Sequence, residues 1–176
     1  MLTIGHSNRP LEEFLDLLKA HRVQLLADVR TVPRSSRNPQ FNRESLPPPL
    51  AAAGILYEHI PGMGGLRHAG KDSTNTGWRN PGFRGYADHM QTDEFQRSLE
   101  ELVVLESGRR TAIMCAESVP WRCHRSLIAD ALTVRGIAVE HIMSPTKVNA
   151  HILTSFARVE GGRVTYPGPN LELFRR

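Results

Sequence analysis

The sequence predicts an α/β fold: a mainly parallel sheet of about five strands with helices on both faces, followed by a C-terminal β-hairpin. Three observations predict it. Apolar runs of strand length recur along the chain, segments with apolar residues at i, i+3, i+4 and i+7 lie between them, and a Gly-Gly pair splits the last β-rich stretch. Strands that alternate with helices pair in parallel through right-handed crossovers, which covers both faces of the sheet. At 176 residues the length suits one domain, 1–176, and no repeat or linker interrupts it.

The elements follow in order. Leu2 to Gly5 reads as the first strand. Ser7 or Asn8 is expected to cap a helix with Pro10 and Glu12-Glu13 in its first turn, burying Leu11, Phe14, Leu15 and Leu18. Val23 to Val29 has the composition of a strand buried on both faces. Residues 31–49 contain five prolines and form a loop that leads into a short helix from Arg43 to Ala53, ended by Gly54. Ile55 to Ile60 is the third strand and leaves the sheet through Pro61-Gly62-Met63-Gly64-Gly65. The polar stretch Leu66 to Pro81 is long enough to be functional or mobile. Gly82 to Met90 reads as a helix, and Thr92 caps another with Asp93-Glu94 at its positive end and Phe95, Leu99, Leu102 and Val103 inward. Arg110 to Ala116 is the fourth strand, Cys123 to Val134 a helix stopped by Gly136, and Ile137 to Met143 the fifth strand. Ser144-Pro145 is expected to start a helix reaching Thr154, and Arg158 to Tyr166 to form a hairpin turning on Gly161-Gly162.

Composition narrows the class. The hydrophobic share of 40% is ordinary, and no apolar run approaches the ~20 residues that span a bilayer, so no membrane partner is expected. The N-terminus lacks a basic region followed by an apolar run, which points to a cytoplasmic protein with its two cysteines reduced. The net charge of +4 and pI near 9.5 fit a nucleic-acid-contacting protein and equally a basic enzyme. Of 22 basic residues 19 are Arg, suited to bidentate contact with phosphate or carboxylate; a GC-rich genome gives the same bias.

In such a fold the loops at the carboxyl ends of the strands converge on a crevice. Four loops qualify: Gly5-His6-Ser7, Asp28 to Pro39, His59 to Gly65, and Cys115 to Arg125. The second carries Arg30, Arg34 and Arg37, with Arg43 beyond, and no acid between Val29 and Arg43, which reads as an anion clamp or a solvated loop. Phe41 among them is a base-stacking candidate or a packing anchor.

The fourth loop holds the reactive types. Cys123, at a helix start beside His124 and Arg125, is expected to favour its thiolate, while Cys115 at the end of a buried strand is a weaker candidate or an inert thiol. Glu117 reads as an orienter of His124, a general acid or base, or the ion-pair partner of Arg122 or Arg125. The candidate reactive set is therefore Cys123, Glu117, His124 and Cys115. The candidate anion-binding set is Arg125, Arg30, Arg34, Arg37, His6, Ser7, His59, Gly64 and Gly65. A metal held by Cys115, Cys123 and His124 with His6 or His59 competes for the same residues. The spacing argues against it: neither C-x-x-C nor H-x-x-x-H occurs, and adjacent Cys123 and His124 diverge once helical. No cofactor is expected.

Taken together, Thr3-Ile4-Gly5-His6-Ser7, Asp28-Val29-Arg30 with Pro33 and Ser35, Tyr57-x-His59-x-Pro61 leading to Gly64-Gly65, Cys115-x-Glu117 and Cys123-His124-Arg125 resemble the domain-of-unknown-function family 488. The resemblance covers nearly the whole chain. It implies a cytoplasmic bacterial or archaeal protein without an assigned activity, with a suspected link to DNA. Asp28-Val29-Arg30, His59-Ile60-Pro61-Gly62, Cys115 and Arg125-Ser126 are fainter matches to rhodanese and cysteine-phosphatase domains. There Cys and Arg frame a tight anion-cradling loop, whereas nine residues separate Cys115 from Arg125 here and Pro120 has no N–H to offer. That likeness extends to architecture and not to sulfur or phosphoryl transfer at Cys115.

The expected function is an enzyme that binds an anionic substrate (phosphate, nucleotide or nucleic acid) in the crevice and works by thiol or acid-base chemistry. One alternative is a DNA- or RNA-binding module that adds Arg67, Lys71, Trp78 and Arg79. The other is a structural or interaction protein.

Overall fold

The computed structural model describes residues 1–169. Its sheet is built from β1 (Leu2–Gly5), β2 (Leu25–Asp28), β3 (Leu56–His59), β4 (Thr111–Cys115), β5 (Glu140–Ser144) and β6 (Lys147–Ala150), in the order β3-β2-β4-β1-β5-β6. The first five strands are parallel and β6 is antiparallel. The α/β architecture read from the sequence is thus the observed one, with one strand more.

Successive residues of each buried strand point to opposite faces, and the two apolar cores sort accordingly. Leu2, Ile4, Leu26, Ala112 and Met114 meet helices α1 (Leu11–Ala20) and α2 (Pro47–Ala52) on one face. Leu25, Ala27, Ile113 and Cys115 meet α3 (Pro81–His89), α4 (Asp93–Glu106) and α5 (Arg125–Val134) on the other.

Several local expectations need correction. Neither Ser7 nor Asn8 caps α1. Ser7 takes a left-handed φ of 53° while its N–H bonds Ala116 O at 2.8 Å, and the helix begins only after Pro10. The buried face of α1 is Phe14, Leu17 and Leu18. The helix expected from Arg43 shrinks to α2, because the prolines at 47–49 fit only a first turn. No helix covers 145–154; Val148, Ala150 and Ile152 alternate with polar residues, and that period of two lays β6 against β5 through a turn at Pro145-Thr146. The terminal hairpin is as read, β7 (Arg158–Glu160) and β8 (Arg163–Thr165), with positive φ at both Gly161 and Gly162.

The 66–81 stretch is anchored and not a bare connector. Asp88 of α3 accepts from Gly70 N, Ser73 Oγ and Asn75 Nδ2 at 2.9, 2.6 and 2.8 Å. Trp78 stacks on Phe83 and packs against Phe156 and Tyr166.

A hydrogen-bond chain ties α5 to the right half of the sheet. Asp130, wholly buried, accepts from His151 Nε2 (2.8 Å), Thr154 N (3.0 Å) and Tyr166 OH (2.7 Å). His151 Nδ1 then meets His141 Nε2 at 3.1 Å, and His141 Nδ1 meets Thr3 Oγ1 at 2.7 Å. Burial, then the neighbouring His151 and the cation of Arg125, push the His141 pKa down to about 4 from 6.5. Below about pH 6.5 the unfolded chain therefore takes up a proton that the folded one refuses. Stability is full above pH 6.5 and falls as the pH drops toward 4. Melting temperatures between pH 7.5 and 4 should show this slope, and His141→Gln should flatten it; an unchanged slope would remove His141 as its source.

Candidate functional site

The register sets the carboxyl ends of four strands side by side: His59 beside Asp28, Asp28 beside Met114, and Gly5 beside Cys115. From Gly5 the chain leaves toward α1 on one face, and from the adjacent Cys115 toward α5 on the other. Such a divergence opens a crevice at the strand ends.

Gly5 makes the crevice narrow at its base. A Cβ there would lie 1.8 Å from Glu117 O and 2.8 Å from Ser118 Cα, so only glycine admits the loop after β4. His6 N and Ser7 N continue the β1–β4 ladder to Cys115 O (2.9 Å) and Ala116 O (2.8 Å).

One wall is a buried polar cluster. Arg30 donates through Nε and Nη2 to both carboxylate oxygens of Asp28 at 2.8 and 2.5 Å, through Nη2 to Phe41 O at 2.8 Å, and through Nη1 to His6 Nε2 at 3.2 Å. Burial works most strongly against its charge, but the Asp28 hydrogen bonds and charge, with smaller help from Tyr57 and Cys115, together raise the Arg30 pKa. Tyr57 OH donates to Asp28 at 2.8 Å; burial, then the Asp28 charge, raises its pKa. Because a guanidinium only donates, His6 Nε2 is an acceptor and its Nδ1 carries the proton given to Ser7 O at 2.7 Å. The ring is neutral, its pKa lowered first by burial and also by Arg30, and it stacks on the fully buried Phe41 at 4.3 Å.

This corrects several expected roles. Arg30 is committed to Asp28, His6 uses both nitrogens internally, and Phe41 packs in the core where no base reaches it. His59 donates to Arg30 O at 2.9 Å and buttresses the cluster. Gly64 provides a close approach to Thr31, whose Oγ1 a Cβ would meet at 2.4 Å, and not to a ligand.

The opposite wall is the loop after β4. It passes through a 3-10 turn, Pro120–Arg122, before α5 begins two residues later than expected. Arg125, 1% exposed, lies beneath the loop; its Nη1 donates to Glu117 O and its Nη2 to Ser118 O at 2.7 Å. It shapes the loop and does not face the crevice as an anion clamp. Glu117 pairs with neither Arg122 nor Arg125, and does not orient His124: its Oε1 accepts from Val119 N at 3.2 Å and Ser118 Oγ at 3.4 Å.

At the floor, Cys123 is extended (φ −128°, ψ 143°) and precedes the helix, so it does not diverge from His124 as a helical pair would. Cys115 Sγ and Cys123 Sγ each lie 3.7 Å from His124 Nδ1. His124 Nε2 is 3.0 Å from Val29 O, and since a carbonyl only accepts, Nε2 carries a proton and donates it there, which leaves Nδ1 as the nitrogen that faces the two sulfurs. A hydrogen bond from Cys123 leads the causes that hold the Cys115 thiol well below the usual range, with His124 and the Glu117 N–H adding to it against burial. Cys123 moves the opposite way, raised by its hydrogen bond to Cys115 and by burial. The two thiols titrate as a pair, one made acidic at the other's expense, with the direction favouring charge on Cys115 where the sequence expectation placed it on Cys123.

Two cavities open at the strand ends, the first of them on this floor. One, of about 370 Å³, is lined by Cys115, Cys123, His124, Glu117 and Gly65, with Val32, Leu66 and Phe83 as an apolar side. The other, of about 520 Å³, is lined by His6, Ser7, Asn8, Arg34 and Arg37. Arg30, Val32 and Ala116 border both, so the two lie side by side. No carboxylate among the described residues pairs with Arg34 or Arg37. By contrast Arg67, from the alternative nucleic-acid loop, bonds Gly64 O and Gly62 O and pairs with Glu94.

Of the lining residues, Val32, Leu66, Asn80 and Phe83 carried no chemical signal in the sequence. Asn80 could have been found as the cap of α3, since its side chain accepts from Gly82 N and Phe83 N. The Val29 carbonyl that fixes His124 leaves no mark on residue type.

A family model described as domain of unknown function DUF488 matches residues 10–132, which take in the arginine loop and the Cys115 to His124 segment and leave out His6 and Ser7. No curated protein and no solved structure matches the chain.

Proposed function

The chain belongs to the DUF488 family of domains of unknown function, and from that premise we propose that it is an enzyme acting on an anionic small molecule. The family supplies no reaction, so the reading rests on the site. The observation that carries it is the adjacency of the two cavities: two arginines without acidic partners among the described residues line one, and two sulfurs facing one imidazole nitrogen line the other.

In this reading Arg34 and Arg37 hold a phosphate or carboxylate, with the Gly5-His6-Ser7 loop closing behind it. The apolar side made by Val32, Leu66 and Phe83 takes the body of the substrate. The reacting group lies over Cys115, Cys123 and His124, with Glu117 at the rim positioned for proton transfer. Arg30 and Arg125 are positioning residues that set the two walls.

The test is equilibrium binding of a panel of phosphorylated and carboxylated metabolites, read by thermal shift and calorimetry. Arg34→Ala/Arg37→Ala should weaken the best ligand by about 10-fold or more with no fall in melting temperature, each lost charge-assisted bond being worth roughly 1.5–3 kcal/mol. Binding unchanged in the double variant would overturn the anion half of the reading. Tight, salt-steep binding of oligonucleotides in place of any small anion would replace it with the nucleic-acid module.

A further inference from the structure

We propose that Cys115, Cys123 and His124 are a three-ligand site for a borderline-soft divalent metal ion, zinc(II) foremost, with the fourth coordination position opening on the cavity. The inference deepens the proposed function by naming the cofactor of the reactive end. It rests on that reading only for what the ion does there, since binding is measured without substrate.

Geometry carries the assignment. The three ligand atoms lie within 4.8 Å of one another. A tetrahedral zinc with Zn–S near 2.3 Å and Zn–N near 2.0–2.1 Å sets sulfur and nitrogen about 3.5–3.6 Å apart. Both sulfurs here are 3.7 Å from His124 Nδ1, within a tenth or two of an ångström of that spacing. The extended Cys123 and the first turn of α5 aim neighbouring residues at one point, which a continuous helix would not do.

The surroundings fit an ion as well. A ligating histidine needs its other nitrogen fixed by an acceptor, and Val29 O does this at 3.0 Å. Space in front of Nδ1 is kept by Gly65, where a Cβ would come within 2.4 Å of that nitrogen. Two sulfurs and one imidazole select zinc over magnesium or calcium. Three protein ligands beside an open cavity, and not four in a closed shell, are the pattern of a working ion and not a structural one. Each thiol gives its proton to solvent as its sulfur binds. Bound there, the ion would polarise a substrate oxygen or acidify a coordinated water, with Glu117 at the rim to take the proton.

The test uses the full chain, kept reduced, with its metal content measured as purified and then stripped with chelator and titrated with cobalt(II). One equivalent should bind with the visible bands of tetrahedral cobalt and a near-ultraviolet thiolate-to-metal band. Cys115 and Cys123 are the only cysteines, so that band can come from no other residues. Cys115→Ser and His124→Ala should each weaken cobalt by about 100-fold or more, beyond the ~10–100-fold that a lost supporting contact costs. His68→Ala, on an exposed histidine, should change nothing. Absence of the thiolate band in the wild-type protein, or a Cys115→Ser protein that binds cobalt as tightly and with as strong a band as wild type, would overturn the assignment. The wild-type spectrum decides even where a variant does not fold. The failures separate: loss of phosphate binding in Arg34→Ala/Arg37→Ala with no cobalt site in the wild type sinks the metal and leaves the anion reading. A cobalt site with no anion binding does the reverse.

Discussion

Replacing Asp28 with asparagine should lower folding stability by about 3–5 kcal/mol, a fall in Tm of roughly 6–20 °C for a chain of this size. The partner left behind decides the magnitude. Asp28 is wholly buried and Arg30 is 6% exposed, so Asp28→Asn leaves a guanidinium in the core with its charge unmatched. The damage then spreads, since Arg30 also holds His6 through Nη1 and Phe41 O through Nη2, and both cavities border it. Neutralising both members, as Asp28→Asn/Arg30→Gln, should recover more than half of the loss, because a missing pair costs less than half a pair. Thermal and urea unfolding of the two variants would check this. A single variant within about 1 kcal/mol of wild type would show that water already reaches the cluster.

Gly5→Ala is expected to cost about 3 kcal/mol or more, the upper end for added volume in a packed site. The obstruction is backbone, Glu117 O at 1.8 Å and Ser118 Cα at 2.8 Å, and backbone pinned by the ladder bond at Ala116 and by Arg125 at the two carbonyls cannot swing aside as a side chain can. The loop after β4 must lift, carrying the neck between Cys115 and Cys123 with it, so cobalt binding should fall along with Tm. Gly70→Ala is the control, its nearest neighbour being 3.8 Å away, and should stay within about 0.5 kcal/mol. A Gly5→Ala protein that melts normally and binds normally would mean that the loop has another resting position.

The fold was legible because its signals are periodic. Apolar runs and helical spacings located five strands and most helices, and Thr92 marked the start of α4. The strand-end rule brought the right loops together. What failed was local. Pro145 looked like a helix start because its preceding Ser144 resembles a cap, yet the alternation of Val148, Ala150 and Ile152 decided the outcome. At the site, residue type points to side chains that line the cavities but not to what they bond. Arg30 and Arg125 were read as clamps from their charge, but the acceptors that claim them are Asp28 and two backbone carbonyls, which composition does not rank. A helical Cys123, which its neighbours suggest, would diverge from His124, and its extended backbone is what lets the two converge.

The strand order also dictates when the molecule can be completed during synthesis. β1 is bonded only to β4 and β5, so Leu2 waits for Ala112 and Glu140, while β2 and β3 already have each other. The first strand to emerge is among the last to be paired, and contacts so distant along the chain are slow to close. Residues 111–115 enter between β2 and β1, and in entering they deliver Cys115 to the crevice. A chain halted before them lacks the centre of its sheet and the floor of its crevice alike.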